Sequence, residues 1–502
     1  MKSNLLQINN IHFSYDGSSE PLFESVSLNI YSGWTAIVGP NGTGKSTFLK
    51  LCTDLLKAQK GVILKPDSSA YCEQRTDFAP DNIEDFIYSY DKIAIKLKSI
   101  LGINEDGLNR WDSLSHGERK RFQIGKVLYE DPELLAIDEP TNHLDIQTKS
   151  IIKKVLLEYK GIGLIVSHDR ELLDSLCSNC LFIDPPKVSA FKGNYTEAKA
   201  QYGSELEYNR KVYSELLTEK RRMNSVLQER KLLAQNSDSR VSKRGIAKND
   251  HDSREKLNRA RVTGKDGVGG KLVNQIQGRL NQTTEKLEKH KVKKEYTTGI
   301  EFQTEISRRN GLLALGSTNI VLGVDKSLLI DHLNINPSDK IGITGNNGFG
   351  KSSLIRFILQ QIKLEKENIL YIPQEINEKA TISIKEDIRK LGDDKLGKLM
   401  TFVTRLGSDP KRLLESDLFS PGETKKLLFA IGMLYQPQLI IMDEPTNHLD
   451  IVGTECLETA LLGLNCALIL VSHDFPFLQK TTSIHWSIER KGNVYILEKS
   501  YF

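Results

Sequence analysis

The nine residues GPNGTGKST at 39–47 fit the pattern G-x-x-x-x-G-K-[ST] at every fixed position, and GNNGFGKSS at 345–353 fits it again. A short apolar stretch precedes each loop, at 35–38 and at 341–344, and FLKLCTDLL after the first reads as a helix. A single loop of this kind can be a glycine-rich turn that matches by chance, but these two do not stand alone. Lys351 follows Lys45 by 306 positions. LLAIDEPTNHLD at 134–145 recurs as LIIMDEPTNHLD at 439–450, and VSHD at 166–169 recurs at 471–474, both offset by 305. Self-similarity that keeps its internal spacing means two copies of one domain. The chain therefore reads as α/β, with tandem phosphate-loop domains over 1–194 and 297–502 and a segment of another kind, 195–296, between them.

Each copy has the chemistry of a nucleoside triphosphate site. A strand, loop and helix in succession aim loop amides and a helix N-terminus at an anion. In the first copy this sets Gly39, Asn41, Gly42, Thr43, Gly44 and Thr47 around the phosphates. Lys45 then reaches the β- and γ-phosphates and the Ser46 hydroxyl a Mg²⁺ ion. Gly345, Asn347, Gly348, Phe349, Gly350, Lys351, Ser352 and Ser353 repeat the arrangement. LLAID reads as a buried parallel strand that delivers two carboxylates, Asp138 for the metal and Glu139 to polarise an attacking water. Asp443 and Glu444 are their counterparts. His168 lies 29 residues past Glu139 and His473 lies 29 past Glu444, so a histidine that alone would pass for structural acquires a place in the site. Gln74, at the end of the strand-like SAYCEQ, and Gln374 are amides placed to complete the Mg²⁺ shell. Tyr15 has two readings, a ring stacked on adenine or a strand-end cover for the sheet. LSHGE at 114–118, ahead of a helix rich in Lys and Arg, also has two, a phosphate held at a helix N-terminus or a simple cap.

With 502 residues, 39% of them hydrophobic and 27% charged, the chain has room for two full-sized cores and a third element. It has no apolar run near the roughly 18 residues of a membrane span, and MKSNLLQINN is no signal peptide, so a cytoplasmic protein is expected. Six cysteines without paired spacings suit free thiols, the C-x-x-C of Cys177 and Cys180 having no second pair beside it.

Strand patterning disappears after FKGNYTEA at 191–198. Leu206, Val212, Tyr213, Leu216, Leu217, Met223, Val226, Leu227, Leu232 and Leu233 keep a helical period, as do Leu272, Ile276, Leu280 and Leu287 on the return. A narrow apolar stripe on each of two polar helices predicts a long antiparallel α-helical hairpin, its first arm roughly 50 to 60 Å long and its tip at about 236–270. From 195 to 300, 24 Lys and Arg stand against 14 Asp and Glu, a net of +10, while the whole chain carries +4. Arg240, Lys243, Arg244, Lys248, Arg254, Arg259, Arg261 and Lys265 crowd the tip. Such a run is either a solvated helix surface or a contact for RNA phosphates, and with few aromatics between the charges it suits backbone and shape recognition.

Phosphate loop, Gln74, LSHGE, Asp138 with Glu139, Asp145 and His168, in that order and twice over, resemble the ATP-binding cassette ATPases. The wording DEPTNHLD, signatures ending in GE, two cassettes and no membrane domain resemble the ABC-F branch, whose members act on ribosomes. The resemblance spans essentially the whole chain. It implies an ATPase that uses ATP and Mg²⁺ and a monomer whose cassettes close head to tail. Ser420, Gly422 and Glu423 would then face the ATP on Lys45, and Ser115, Gly117 and Glu118 the ATP on Lys351. It also implies a linker that enters the ribosome toward 23S rRNA and the P-site tRNA. The short span after Gln74 lacks the arm insertion of some housekeeping members and the tip is long, as in members that protect ribosomes from antibiotics at the peptidyl-transferase centre. A housekeeping translation factor is the alternative within the branch, and an ATPase subunit of a membrane transporter the alternative outside it.

Two departures from the family pattern bear on the sites. His116 and Pro421 stand where the signature usually has its first glycine. The first glycine is the less demanding of the two if only the second must let backbone approach phosphate, and on that ground nucleotide binding is expected to survive. The stretch 311–330 has no aromatic, so adenine contact there is expected to be aliphatic and the two sites to be inequivalent.

Overall fold

The computed structural model describes residues 5–18, 20–142, 144–240, 266–290, 304–323, 326–376, 378–410, 413, 419–492 and 494–502. In each half, short runs of apolar β-branched residues form parallel strands buried on both faces. The first half orders its six-stranded sheet as Ser69–Cys72, Leu134–Asp138, Ile162–Val166, Gly33–Val38, Cys177–Asp184 and Lys187–Lys192, parallel except for the last pair. The strand before the phosphate loop is thus flanked by Ile162–Val166 and Cys177–Asp184. In the second half Lys340–Gly345 is flanked in the same way by Ala467–Val471 and Ile484–Lys491. Loops at the carboxyl ends of such strands are where an open α/β sheet binds ligands.

The halves differ at the periphery. In the first, Phe23–Tyr31, Leu5–Phe13 and Lys60–Leu64 make a separate antiparallel sheet. In the second, Thr318–Gly323 and Lys326–Ile330 join the main sheet through Val494–Tyr501, giving eight strands. Phe23 and Phe48, packed edge to face with centroids 5.7 Å apart, bind the first antiparallel sheet to the helix after the phosphate loop. That helix is Lys45–Cys52, shorter than FLKLCTDLL suggests. Thr53 ends it and returns its hydroxyl to Leu49 O at 3.0 Å. Between Gln74 and Leu114 a small helical layer forms from Ile83–Ile87, Lys92–Leu101 and the 3-10 turns Glu105–Ser113, packed around Phe86, Leu101 and Trp111.

The chain divides into two compact units, 1–198 with 296–502, and 199–295. In the second unit Asp266–Lys289 runs back along the helix Tyr195–Arg240. The antiparallel sense follows from the contacts: Asn209 Oδ1 meets His290 Nδ1 at 2.8 Å and Thr283 Oγ1 lies 3.9 Å from Met223 Sδ, with Leu227 and Leu287 buried. At 46 residues the first helix is roughly 69 Å long, more than the apolar stripe alone indicated. It reaches Arg240 and the return helix begins at Asp266, so both run into the stretch read as the tip. Arg240 ends the first helix, while Lys243, Arg244, Lys248, Arg254, Arg259, Arg261 and Lys265 lie outside the described residues. Among the described residues no helix is long and apolar enough to cross a membrane.

Candidate functional site

Gly44 and Gly350 precede the phosphate-loop helices with φ of 90° and 93°, and neither helix has a side-chain cap at its N-terminus. A Cβ on Gly44 would stand 2.7 Å from Leu22 and one on Gly350 2.7 Å from Leu322, so only glycine fits there. The uncapped N–H groups of the first turn are left for an anion. Lys45 is buried, and its Nζ donates to Gly39 O at 2.8 Å and Pro40 O at 3.1 Å. Lys351 is equally buried and donates to Gly345 O at 2.6 Å and Asn346 O at 3.3 Å. Burial holds both ammonium groups below the usual lysine range, with the nearby carboxylates pulling the other way. The loop, its lysine and the dipole of its helix together form a cradle for a polyphosphate.

Behind each loop the strand ends in its two carboxylates. Glu139 and Glu444 are buried, and burial pushes each carboxyl up to about 7 against the pull of Lys45 or Lys351. Such a group is matched to taking a proton from water near neutral pH. His168 Nε2 lies 3.1 Å from Glu139 Oε1 and His473 Nε2 3.4 Å from Glu444 Oε1. The backbone N–H of each histidine donates to the other carboxylate oxygen at 3.3 Å. Burial, reinforced by the lysine, pulls both imidazoles down to about 3, so they are neutral. Beyond these histidine contacts, and among the described residues, Glu139 Oε1, Glu444 Oε1 and His473 Nδ1 are buried with no hydrogen bond, an arrangement that suits a polar guest such as water.

Among the described residues no three His, Cys, Asp or Glu side chains converge on a metal position. In the second half the Ser352 hydroxyl donates to Asp443 Oδ2 at 2.9 Å, so hydroxyl and carboxylate already meet, and burial holds that carboxyl above its usual range. In the first half Asp138 Oδ2 instead accepts from Tyr71 Oη at 3.1 Å. Gln74 and Gln374 sit exposed beyond the ends of their strands.

The signature segments make full capping boxes. Ser115 Oγ accepts from Glu118 N at 3.3 Å while Glu118 Oε2 accepts from Ser115 N at 2.8 Å, and Ser420 with Glu423 repeats this. Pro421 occupies the first helical turn, where its missing N–H costs nothing. A Cβ on Gly422 would come within 2.6 Å of His448 O, so close packing inside its own half already demands that glycine. His448 O in turn accepts from Asn41 Nδ2 at 3.2 Å, and Asp450 Oδ2 accepts from Asn41 N at 2.8 Å. The first phosphate loop therefore meets the second half beside Gly422. On the other side Asp145 acts electrostatically on Lys351 and His473. Glu139, His168, Glu444 and His473 all open on one cavity of about 540 Å³ between the halves.

Tyr15 is half exposed, its hydroxyl 2.8 Å from Thr47 Oγ1 and its ring edge-on to Phe13. It thus stands at the phosphate-loop helix with a face open. In the second half Leu322 occupies the ground beside the loop, and Phe349 packs on Tyr495 with centroids 5.0 Å apart, an aromatic pair outside the 311–330 window. Cys177 and Cys180 are free buried thiols, Cys180 pushed up to about 12 by burial.

Several residues of this region carry no motif. Arg170 pairs with Glu458, and 3.7 Å away with Asp474, both across the seam between the halves. Lys149 pairs with Asp169 at 2.9 Å. Comparison at the repeat offset would have flagged them, because positions 170 and 475 are Arg and Phe while 153 and 458 are Lys and Glu.

The family model described as ABC transporter matches residues 23–142 and again 330–447. The chain is 29% identical over 497 residues to the ribosome protection protein VmlR of Bacillus subtilis (strain 168), covering 95% of this chain and 86% of that one. It is 27% identical to the ATP-binding protein Uup of Buchnera aphidicola subsp. Schizaphis graminum, covering 91% and 76%. Among solved structures, the archaeal ribosome recycling factor aABCE1, in complex with the stalk protein aP1, matches with a TM-score of 0.61 at 16% identity over 97% of this chain and 89% of that one, a likeness of fold. The chain is a tandem ATP-binding cassette ATPase, with the ABC transporter domain in two copies and ABC-F proteins as its relatives over nearly its full length.

Proposed function

We propose that this ATPase is a cytoplasmic, ATP-gated ribosome-binding factor whose basic helical linker contacts ribosomal RNA. The observation that carries the gating is the bond from Asn41 to Asp450 and His448. A loop that holds phosphate in one half is completed by the other, so nucleotide binding and closure of the halves are one event. Support for the ribosome as partner comes from the net +10 of residues 195–300 and from a relative named for ribosome protection.

In this reading Lys45 and Lys351 leave their carbonyl partners for the β- and γ-phosphates, and the capping-box serines turn toward the γ-phosphate held by the opposite half. Mg²⁺, when bound by Ser46 with Asp138 and Gln74 or by Ser352 with Asp443 and Gln374, supplies positive charge to the phosphate oxygens. Glu139 and Glu444 take the proton of the attacking water, and neutral His168 and His473 line the γ-phosphate. Loss of the γ-phosphate then removes what bridges the halves, and the open population grows.

Co-sedimentation of the Glu139→Gln, Glu444→Gln double variant with purified ribosomes tests the reading. Pelleting that requires ATP supports it. Absence of pelleting under every nucleotide overturns it and returns attention to a membrane partner. The finer role, protection of the ribosome from antibiotics at the peptidyl-transferase centre, rests on the long interdomain linker and the likeness to VmlR. A deletion strain with unchanged drug susceptibility and slowed growth would instead favour a housekeeping translation factor.

A further inference from the structure

The backbone carbonyls of four consecutive residues after the strand Ser69–Cys72 are all taken by side chains around the first signature. Lys120 Nζ donates to Glu73 O and, at 3.4 Å, to Gln74 O. Gln123 Nε2 donates to Arg75 O at 2.7 Å. Thr76 O accepts from Trp111 Nε1 at 3.3 Å and from Arg119 Nη1 at 3.4 Å. Lys120 is 0% exposed, and its ammonium also reaches Gln123 Oε1 at 3.2 Å. A buried ammonium cannot give up its acceptors cheaply, so the loop must follow the helix His116–Tyr129 wherever it moves.

The repeat supplies an internal control. Lys425 sits at the same offset from Lys120 and is also buried, yet it donates to Glu444 O at 2.6 Å and Asn447 O at 3.4 Å. Where the first half has Arg119 and Gln123 the second has Thr424 and Leu428, the latter unable to hold a carbonyl. The same lysine therefore grips the Gln74 loop in one half and the residue of the catalytic carboxylate in the other.

We propose that Lys120 and Gln123 are positioning residues that transmit the occupancy of the Lys351 site to the Lys45 site. They fasten the Gln74 loop, which serves Lys45, to the helix whose first residues, Ser115 to Glu118, serve Lys351. This rests on the composite-site reading above. A nucleotide that draws Ser115 toward its γ-phosphate moves the helix, and the four carbonyl bonds carry that movement to Gln74. Coupling between sites needs such a continuous physical link with two arrangements.

The test uses the full-length protein in two backgrounds that leave only the Lys45 site hydrolysing. Glu444→Gln lets ATP fill the Lys351 site, and Lys351→Ala keeps it out. The inference expects kcat at the Lys45 site to differ between the backgrounds by about fivefold or more. Lys120→Met should bring that ratio to about one with KM for ATP little changed. Gln123→Leu, which writes in the residue of the second half, should do the same in part and covers the case in which Lys120→Met fails to fold. An unchanged ratio in Gln123→Leu and in folded Lys120→Met, with only a lower melting temperature, overturns the inference and makes these bonds purely structural. A ratio of one in the unsubstituted protein also overturns it. Full hydrolysis by Glu139→Gln, Glu444→Gln would instead defeat the site assignment itself.

Discussion

Around Lys45 the two halves are held together by Asn41 on Asp450 and His448 and by Arg170 on Glu458 and Asp474. Around Lys351 the equivalent asparagine turns inward, Asn347 Oδ1 lying 3.0 Å from His473 Nε2, and that nitrogen is also 3.2 Å from Lys351 Nζ. At the repeat offset Arg170 becomes Phe475, Glu458 becomes Lys153 and Lys149 becomes Thr454. The carboxylates and histidines that do chemistry are the same on both sides, and so are Asn41, His448, Asp450 and Asp474 at the repeat, whereas the Arg170–Glu458 pair has no counterpart. The repeats share the reactive residues and the loop asparagine, and differ in the ion pair that crosses the seam.

The carboxylates give the largest way to break this comparison. Glu139→Gln with Glu444→Gln should lower the steady-state ATPase rate at least about 100-fold, the loss expected when a general base is removed. The single variants should be unequal. On the proposed gating the Lys45 site, whose loop is bonded to the opposite half, should reopen the more slowly, so Glu444→Gln should remove more of the steady-state rate than Glu139→Gln. Two equal halves of the wild-type rate would mean that the seam does not affect turnover.

The seam itself comes next. Arg170→Ala leaves the buried Glu458 with the exposed Lys480 as its remaining ion-pair partner among the described residues, at a cost of about 3 kcal/mol in urea unfolding. Phe475→Ala, at a half-exposed ring, should cost about 1 kcal/mol. Similar losses for both would erase the asymmetry. The capping boxes should behave alike, Ser115→Ala and Ser420→Ala each costing about 1 kcal/mol in nucleotide-free protein, and a clear difference in thermal unfolding would show that one box bears more than a helix end. The smallest effect is at Tyr15. Tyr15→Ala should raise KM for ATP roughly fivefold where only the Lys45 site works and leave the Lys351 site unchanged. An unchanged KM at both would assign Tyr15 to covering the strand end.

Much of this was legible before any coordinates. A loop such as GPNGTGKST is readable because its function needs particular backbone angles, and Gly44 and Gly350 do adopt left-handed φ. Strands such as LLAID are readable because burial on both faces removes polar residues. The grips of Lys120 and Lys425 were not legible. A lysine that ends on backbone carbonyls leaves no partner residue to find in the sequence, and here identical lysines choose different carbonyls. Arg170 was hidden because its acid lies 288 positions away on another domain. The glycine of the second signature was assigned to phosphate approach, while its contact with His448 O gives it a second reason that only packing reveals.

The single cavity onto which Glu139 and Glu444 both open has a further consequence. The two carboxylates share one body of solvent, so the polarisability each of them experiences is set by how much of that common space is wet. A polar guest that enters this space stands before both carboxylates, so what is bound at one narrows the room left at the other. The two reaction centres are thus neighbours through their solvent as well as through their chain.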